Sequence, residues 1–212
     1  MVQDPQKCDL VNYAPSVTPY FFGYGSLVNA ATHKYKPVFK ASLSGYKRAW
    51  RFSEPHDACF LTIIPDKTST IDGLLAPVEP NWETLDLRET AYDRFECSDL
   101  IETKAKQVCQ VSAYAIPDPS TSGTNTARPI LLSYLDTVIQ GFHTVYGLDG
   151  VIRFINTTTG WEIPILDDRS APIYPRAQNL TAREQSLTNQ VLADKSCDIH
   201  SSEDWKAQKS ER

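Results

Sequence analysis

No segment of this chain is dominated by basic residues: 21 Lys and Arg stand against 26 Asp and Glu in 212 residues, a formal net charge of −5. Nucleic-acid and anionic-membrane surfaces need concentrated positive charge, so neither partner is expected. No run approaches the ~20 apolar residues of a spanning helix. The opening stretch, 1–17, has neither a basic start nor a continuous apolar run, and the expectation is a cytoplasmic protein. The five cysteines (Cys8, Cys59, Cys97, Cys109 and Cys197) are odd in number and form no C-x-x-C pair. That suits neither a disulfide framework nor a zinc site, so they read as reduced thiols, packing groups where they fall in strands. His33, His56, His143 and His200 lie far apart without metal spacing and read as surface or capping residues. No metal and no cofactor is expected. The triplets at Asn156 and Asn179 match a glycosylation acceptor, a match without meaning in the absence of secretion.

What is present is a chain long enough to bury one sizeable core. From 20 to 117 short alternating or apolar runs are separated by turn residues, the pattern of a compact, mostly antiparallel β unit. Candidate strands cover 20–24, 38–43, 46–52, 59–64, 71–78, 94–100 and 107–116, with Ser44-Gly45 as a tight turn between the second and third. Strands this short and closely spaced suggest a sheet that curls into a barrel. A short helix interrupts them: Pro80-Asn81 stops a strand, Asn81 can cap, and Trp82, Leu85 and Arg88-Glu89 follow at helical spacing.

Beyond Pro117 the composition changes. The stretch 118–127 is turn chemistry and reads as a mobile surface loop. Then Ile130, Leu131, Tyr134, Leu135, Val138, Ile139, Phe142 and Val145 recur at intervals of three and four, a helix whose apolar stripe ends at Gly147. A shorter helical stretch covers 149–156, and Thr181-Ala-Arg-Glu184 fits a capping box that opens a last helix. The tail from Ser196 is polar apart from Ile199 and Trp205; it frays or docks weakly. Three parts are expected: an N-terminal extension over 1–18, a main domain over 19–178 that includes the packed helix, and a C-terminal helix with its tail over 179–212.

Two stretches carry chemistry. Phe21-Phe-Gly-Tyr-Gly-Ser-Leu27 is an apolar strand running into two glycines and a serine. Such a turn leaves backbone N–H groups pointing outward as an anion or oxyanion cradle, with Gly25 taking a positive φ and no Cβ blocking a ligand. On residue pattern alone, a strand ending in a glycine bulge is the favoured reading. A dinucleotide fingerprint would need glycine where Val28 stands, and a hydrolase elbow would need serine between glycines. In Leu85-Asp-Leu-Arg-Glu-Thr-Ala-Tyr-Asp-Arg94, a carboxylate at the end of a short helix, flanked by apolar and aromatic residues, can be desolvated and its pKa raised toward that of a general base. Against this stands the reading of Arg88 and Arg94 as partners of Glu89, Asp86 or Asp93 in ordinary surface salt bridges. The segment 164–176, dense in Asp, Arg and Pro, either folds over a pocket mouth as a lid or packs the C-terminal helices on the barrel; stiffening by proline favours packing.

The pair of motifs, Tyr-Gly-Ser-Leu after the first strand and Leu-Asp-x-Arg-Glu-x-x-Tyr-x-Arg later, resembles the γ-glutamylcyclotransferase-like superfamily, which includes AIG2-like and ChaC-like proteins. The resemblance covers about half the chain, 20–116. It implies an α+β fold: a small mixed β-barrel with flanking helices, here with a helical C-terminal extension. It implies that Tyr24, Gly25, Ser26 and Leu27 hold a γ-glutamyl group and that Glu89 is the catalytic general acid/base. Tyr114 matches a tyrosine lining the same pocket, and Tyr92 and Arg94 support the site's geometry. The implied activity is cyclisation of a small γ-glutamyl amine, peptide or glutathione to 5-oxoproline with release of the amine and without a cofactor. Two alternatives stand beside it: a non-catalytic small-molecule binding module of the same fold, and C-terminal helices serving chiefly in assembly. Oligomeric state is not legible.

Overall fold

The structure is a computed structural model that describes residues 18–106, 108, 110–117 and 128–205. Cys8, Cys109, the expected extension up to residue 17, the 118–127 loop and the tail from 206 lie outside the described residues.

The first strand organises the rest. β1 (Pro19–Gly23) carries Phe21 and Phe22 into the interior and lies between antiparallel β3 (Ala58–Pro77) and parallel β6 (Gln110–Ala115). β6 pairs in turn with antiparallel β4 (Asp93–Glu96). β3 runs against β2 (Phe39–Ser53), which also takes antiparallel β5 (Ile101–Thr103) and parallel β8 (Thr158–Thr159). Short parallel pairings add β7 (Ile130–Leu131), β9 (Ile165–Asp167) and β10 (Ile199–Ser201). Within 20–117 the pairings are mostly antiparallel, as expected, with β1 beside β6 the parallel one; the later strands make the ten-stranded sheet mixed, and its path runs from β10 to β4 without closing fully. With the helices packed on it, this is the α+β architecture that the motifs imply.

The strands are longer than the sequence suggests. The chain does not turn at Ser44-Gly45: β2 and β3 form one ladder from Ser53 opposite Ala58 to Phe39 opposite Leu75, with a register shift between Ser44 and Tyr46. Gly45 sits at φ +83, a conformation that side chains disfavour, so here glycine permits a bulge, not a hairpin. Pro65 stands opposite Tyr46 beside that irregularity, where the ladder is already interrupted and a missing N–H costs little. The run expected as a strand over 94–100 is instead the end of β4 and a 3-10 turn (Ser98–Leu100) that leads into β5.

α1 (Glu83–Arg88) is anchored by fully buried Leu85; its N-cap position is Trp82 rather than the expected Asn81, whose Oδ1 nonetheless accepts from Glu83 N at 3.1 Å. α2 (Leu132–Asn156) covers the sheet with Leu135, Val138, Ile139 and Phe142, leaves helical geometry at Gly147 (φ 69), and resumes to bury Val151, Phe154 and Ile155. The break is where the apolar stripe ends. α3 (Ala182–Asp194) has both capping-box bonds, Glu184 N to Thr181 Oγ1 at 3.3 Å and Thr181 N to Glu184 Oε2 at 2.7 Å. The tail docks by main-chain pairing, as β10 beside β9, with Trp205 packed against the core.

Among the described residues one cation is buried in the core. Arg48, fully buried on β2, lies over the rings of Phe142 and Phe154, with its guanidinium carbon 4.9 and 5.3 Å from their centroids. It donates to Tyr24 O (2.8 Å), Thr157 Oγ1 (2.8 Å) and Asp72 O. Burial pulls its pKa down to about 9, so it stays cationic at neutral pH. Each polar atom so paired removes the penalty of burying it, and the bond to Tyr24 fixes the end of β1. Among the described residues no helix is long and apolar enough to cross a membrane.

Candidate functional site

Where β1 ends, the chain turns through Tyr24 and Gly25 into a 3-10 helix over Ser26–Val28. Val28 N donates to Gly25 O (3.0 Å) and Asn29 N to Ser26 O (3.1 Å). The Ser26 and Leu27 amides open this turn and have no backbone partner among the described residues. Asn29 braces the turn from behind, its Nδ2 donating to Thr137 O (3.0 Å) and Gln140 Oε1 (2.9 Å) on α2.

Glycine is required here for a reason other than the one expected. Gly25 has φ −122, not a positive φ. A Cβ on it would lie 2.9 Å from the Tyr134 hydroxyl, and one on Gly23 would lie 2.5 Å from the Leu27 Cβ. The constraint is close approach between loop, strand and α2.

Glu89 follows α1 directly, its N–H bonded to Leu85 O at 3.0 Å. Its Oε1 lies 2.9 Å from Arg88 Nε, with the two side chains only 15% and 9% exposed. Arg88 also donates to Thr32 O (3.0 Å) and, at 3.4 Å, to Ser26 Oγ, tying the helix to the glycine loop. The reading of ordinary surface pairs therefore fails for Arg88 and fits Arg94, whose partner Asp86 lies at 3.2 Å with 36% and 43% exposure. Burial raises the Glu89 carboxyl above its usual range; Arg88 and Arg176 oppose the shift without reversing it.

These elements face one cavity of about 60 Å³, which brings together Tyr24, Gly25, Ser26, Leu27, Glu89, Tyr92 and Tyr114. Tyr114, on β6, accepts from the Tyr24 hydroxyl through its carbonyl (2.5 Å), and its own hydroxyl donates to Asp86 Oδ1 (2.6 Å). Tyr92 Oη donates to Leu61 O at 3.1 Å. Burial pushes the Tyr24, Tyr92 and Tyr134 hydroxyls far above their usual range, so they remain protonated donors. Arg94 does not line the cavity; it stands opposite Tyr114 in the pairing of β4 with β6, its guanidinium lies over Trp82 at 4.2 Å, and it pairs with Asp86, which also accepts from the Tyr114 hydroxyl.

Sequence reasoning missed much of the far wall. Tyr134 from α2, Tyr174 and Arg176 from the 164–176 segment, and His56 and Phe60 beside β3 complete the lining. The 164–176 segment packs and lines at once. Buried Asp168 accepts from Ser133 N (2.8 Å), Ser133 Oγ (2.6 Å) and Ile173 N (2.8 Å), while Arg169 clasps Asp136 through two bonds of 2.7 and 2.8 Å. Pinned so, the segment places Tyr174 5.0 Å from Tyr134, ring to ring, and Arg176 at the rim. The signal available was Tyr134 itself, a hydroxyl in an otherwise apolar stripe, which must find a polar neighbour. Among the described residues no group of three or more His, Cys, Asp or Glu side chains is arranged to hold a metal ion.

No family model and no curated protein matches this chain. Solved structures do. YkqA from Bacillus subtilis superposes with a TM-score of 0.51 at 15% identity over 68% of this chain, which spans 56% of YkqA's length. A structure described as gamma-glutamyl cyclotransferase gives 0.50 at 13% identity, and an uncharacterized Homo sapiens protein 0.52 at 13%, each over 82% of this chain and 99% of the other. At these identities what is shared is the fold.

Proposed function

We propose that this protein is a cyclotransferase that releases 5-oxoproline from a γ-glutamyl amine, a γ-glutamyl peptide or glutathione. The observation that carries the reading is that a largely enclosed carboxyl of raised pKa and a glycine turn whose Ser26 and Leu27 amides have no backbone partner among the described residues line one small cavity.

In a γ-glutamyl amide the substrate's α-amine attacks its own side-chain carbonyl carbon. A new C–N bond closes a five-membered ring, and the bond to the departing nitrogen breaks. Both partners belong to one molecule, so orientation alone can supply several of the ~7–11 kcal/mol available from proximity. Glu89, as carboxylate, takes the proton that the α-ammonium must lose and returns it to the leaving amine. The Ser26 and Leu27 amides hold the oxyanion of the tetrahedral intermediate. Tyr24, Tyr92 and Tyr134 stay protonated, so they do not compete with Glu89 for the proton. Electrons stay paired within one acyl transfer, so the chemistry calls for no redox group.

One observation favours the alternative of a binding module: the 2.9 Å contact with Arg88 stabilises Glu89 as a charge and weakens it as a base. The two readings separate when wild type and Glu89→Gln are offered a panel of γ-glutamyl compounds and 5-oxoproline is measured. We expect product from wild type and a loss of ~10²–10⁴-fold in the variant. Equal turnover would remove the assigned base, and thermal stabilisation by the panel without product would establish the module.

A further inference from the structure

Two arginines line the cavity that holds Glu89. Arg88 is engaged by Glu89 and Thr32, whereas the side chain of Arg176 has no ion pair and no hydrogen bond among the described residues. We propose that Arg176 anchors the substrate by its α-carboxylate, and so restricts the cavity to a γ-glutamyl group among amides of similar size. The inference rests on the cyclotransferase reading and adds to it a binding residue that lies outside the motifs behind that reading.

The backbone around Arg176 is held and its side chain is free. Tyr174-Pro175-Arg176-Ala177 is a β-turn closed by Ala177 N donating to Tyr174 O at 3.0 Å, with proline at the second position, where its fixed φ fits. Gln178 Nε2 donates to Arg176 O at 2.9 Å, and buried Tyr174 packs on the Tyr134 ring. The Asp168 and Arg169 bonds pin the chain just before the turn. A ligand therefore meets a guanidinium whose main chain is already ordered, and binding has less left to order. Arg176 is half-buried and also lines a second, wider cavity of about 500 Å³, so its charge keeps contact with water while no ligand is bound.

Elimination assigns the partner. A γ-glutamyl group brings three polar ends: the α-ammonium, the carbonyl under attack and the α-carboxylate. At ~10–15 Å³ for each water-sized group, a cavity of about 60 Å³ keeps all three close to its walls. Glu89 receives the proton of the first, and the Ser26 and Leu27 amides face the second. The third, drawn out of water beside the Glu89 carboxylate, needs a cation. Arg88 already serves Glu89, and the hydroxyls of Tyr24, Tyr92 and Tyr114 already donate to Tyr114 O, Leu61 O and Asp86. Arg176 remains, with a planar fork of donors that matches a carboxylate. Its charge acts on the Glu89 carboxyl, so it stands near the reacting end of the cavity.

The test uses the full chain and two amides that differ only in this carboxylate: the best γ-glutamyl compound of the panel, γ-glutamylalanine for instance, and its 4-aminobutyryl counterpart. In both, the amine attacks the amide carbonyl, a five-membered ring closes and the same amine departs, leaving 5-oxoproline from one and 2-pyrrolidinone from the other. We expect Arg176→Gln to lower kcat/KM for the γ-glutamyl compound by about tenfold or more, mainly through KM, and to leave the aminobutyryl compound unchanged. Arg176→Lys should restore part of the difference, since it keeps the charge and loses the fork. Removing the cation also reaches Glu89, but that effect falls on both compounds alike. Inhibition by the two ring products gives a second reading: 5-oxoproline should inhibit wild type more strongly than 2-pyrrolidinone, and Arg176→Gln should erase the preference. If Arg176→Gln does not fold, Arg176→Lys carries the same comparisons. A ratio of the two kcat/KM values and an inhibitor preference that both ignore Arg176, or a fall shared equally by the two compounds, overturn the anchor and leave the cyclotransferase reading standing. No 5-oxoproline from any γ-glutamyl compound of the panel overturns both.

Discussion

The two cavities that Arg88 and Arg176 both line differ in size and in the side chains around them. The inner one is walled by rings, among them Tyr92, Tyr134, Tyr174 and Phe60, and holds a single carboxyl whose pKa burial raises. The outer one is wider, rimmed by exposed lysines, and opens toward water. For the proposed cyclisation the inner cavity is the one that matters, because proton transfer is favoured in a partly desolvated enclosure where small electrostatic differences count. The ion pairs make the same point on a smaller scale, with Arg88–Glu89 enclosed and Arg94–Asp86 in solvent.

The largest expected effect comes from emptying the inner cavity of its acid, the ~10²–10⁴-fold loss for Glu89→Gln, set against a far smaller change for any single lysine of the outer rim. Next is Gly25→Ala. The added methyl would meet the Tyr134 hydroxyl at 2.9 Å, and that ring is held by Phe60, Trp50 and Tyr174 at 4.7 to 5.9 Å. We expect a cost of ~1–3 kcal/mol in unfolding free energy. Combining it with Tyr134→Phe, which deletes the clashing oxygen, should recover part of that cost, as a double-mutant cycle in chemical denaturation would read.

A third prediction concerns pH. Burial lowers the His33 pKa from 6.5 to about 4. The folded state therefore binds fewer protons than the unfolded state between those values, so the stability His33 provides is complete above 6.5 and lost as pH falls toward 4. With discount for partial exposure, His33 should account for on the order of 1 kcal/mol of destabilisation at pH 5 relative to pH 7, and His33→Gln should flatten that part of the profile. The smallest effect belongs to the exposed pair: Arg94→Ala should change stability by less than ~1 kcal/mol, in denaturant melts compared with Arg88→Ala, which strands an enclosed carboxylate and costs more.

The motifs were legible because they are local. Tyr24 to Leu27 are consecutive, and Glu89 is read from its place at the end of a helix; the break of α2 at Gly147 and the Thr181 capping box are equally short-range. What could not be read depends on distant packing. Gly45 and Pro65 look like strand breakers in sequence, yet each falls at an irregularity of one long ladder, and only the pairing of β2 with β3 shows it. Arg48 shares a strand face with Tyr46, Trp50 and Phe52, but what holds its charge there is Phe142, Phe154 and Thr157, nearly a hundred or more positions away. Gly25 invited a positive φ because a turn was expected, whereas its true constraint is a tyrosine hydroxyl from another element. Arg176 became visible only once Asp168 and Arg169 were seen to pin its segment to α2.

The most direct test is the acid limb of kcat/KM for 5-oxoproline release. Glu89 has to be ionised to accept the substrate's proton, so activity should disappear as pH falls through its raised pKa, at a midpoint above the ~4.5 of an ordinary glutamate. Arg88→Gln should carry that midpoint higher still, because an opposing cation is gone. A limb at or below the ordinary value, unmoved by Arg88→Gln, would contradict proton transfer by an enclosed Glu89.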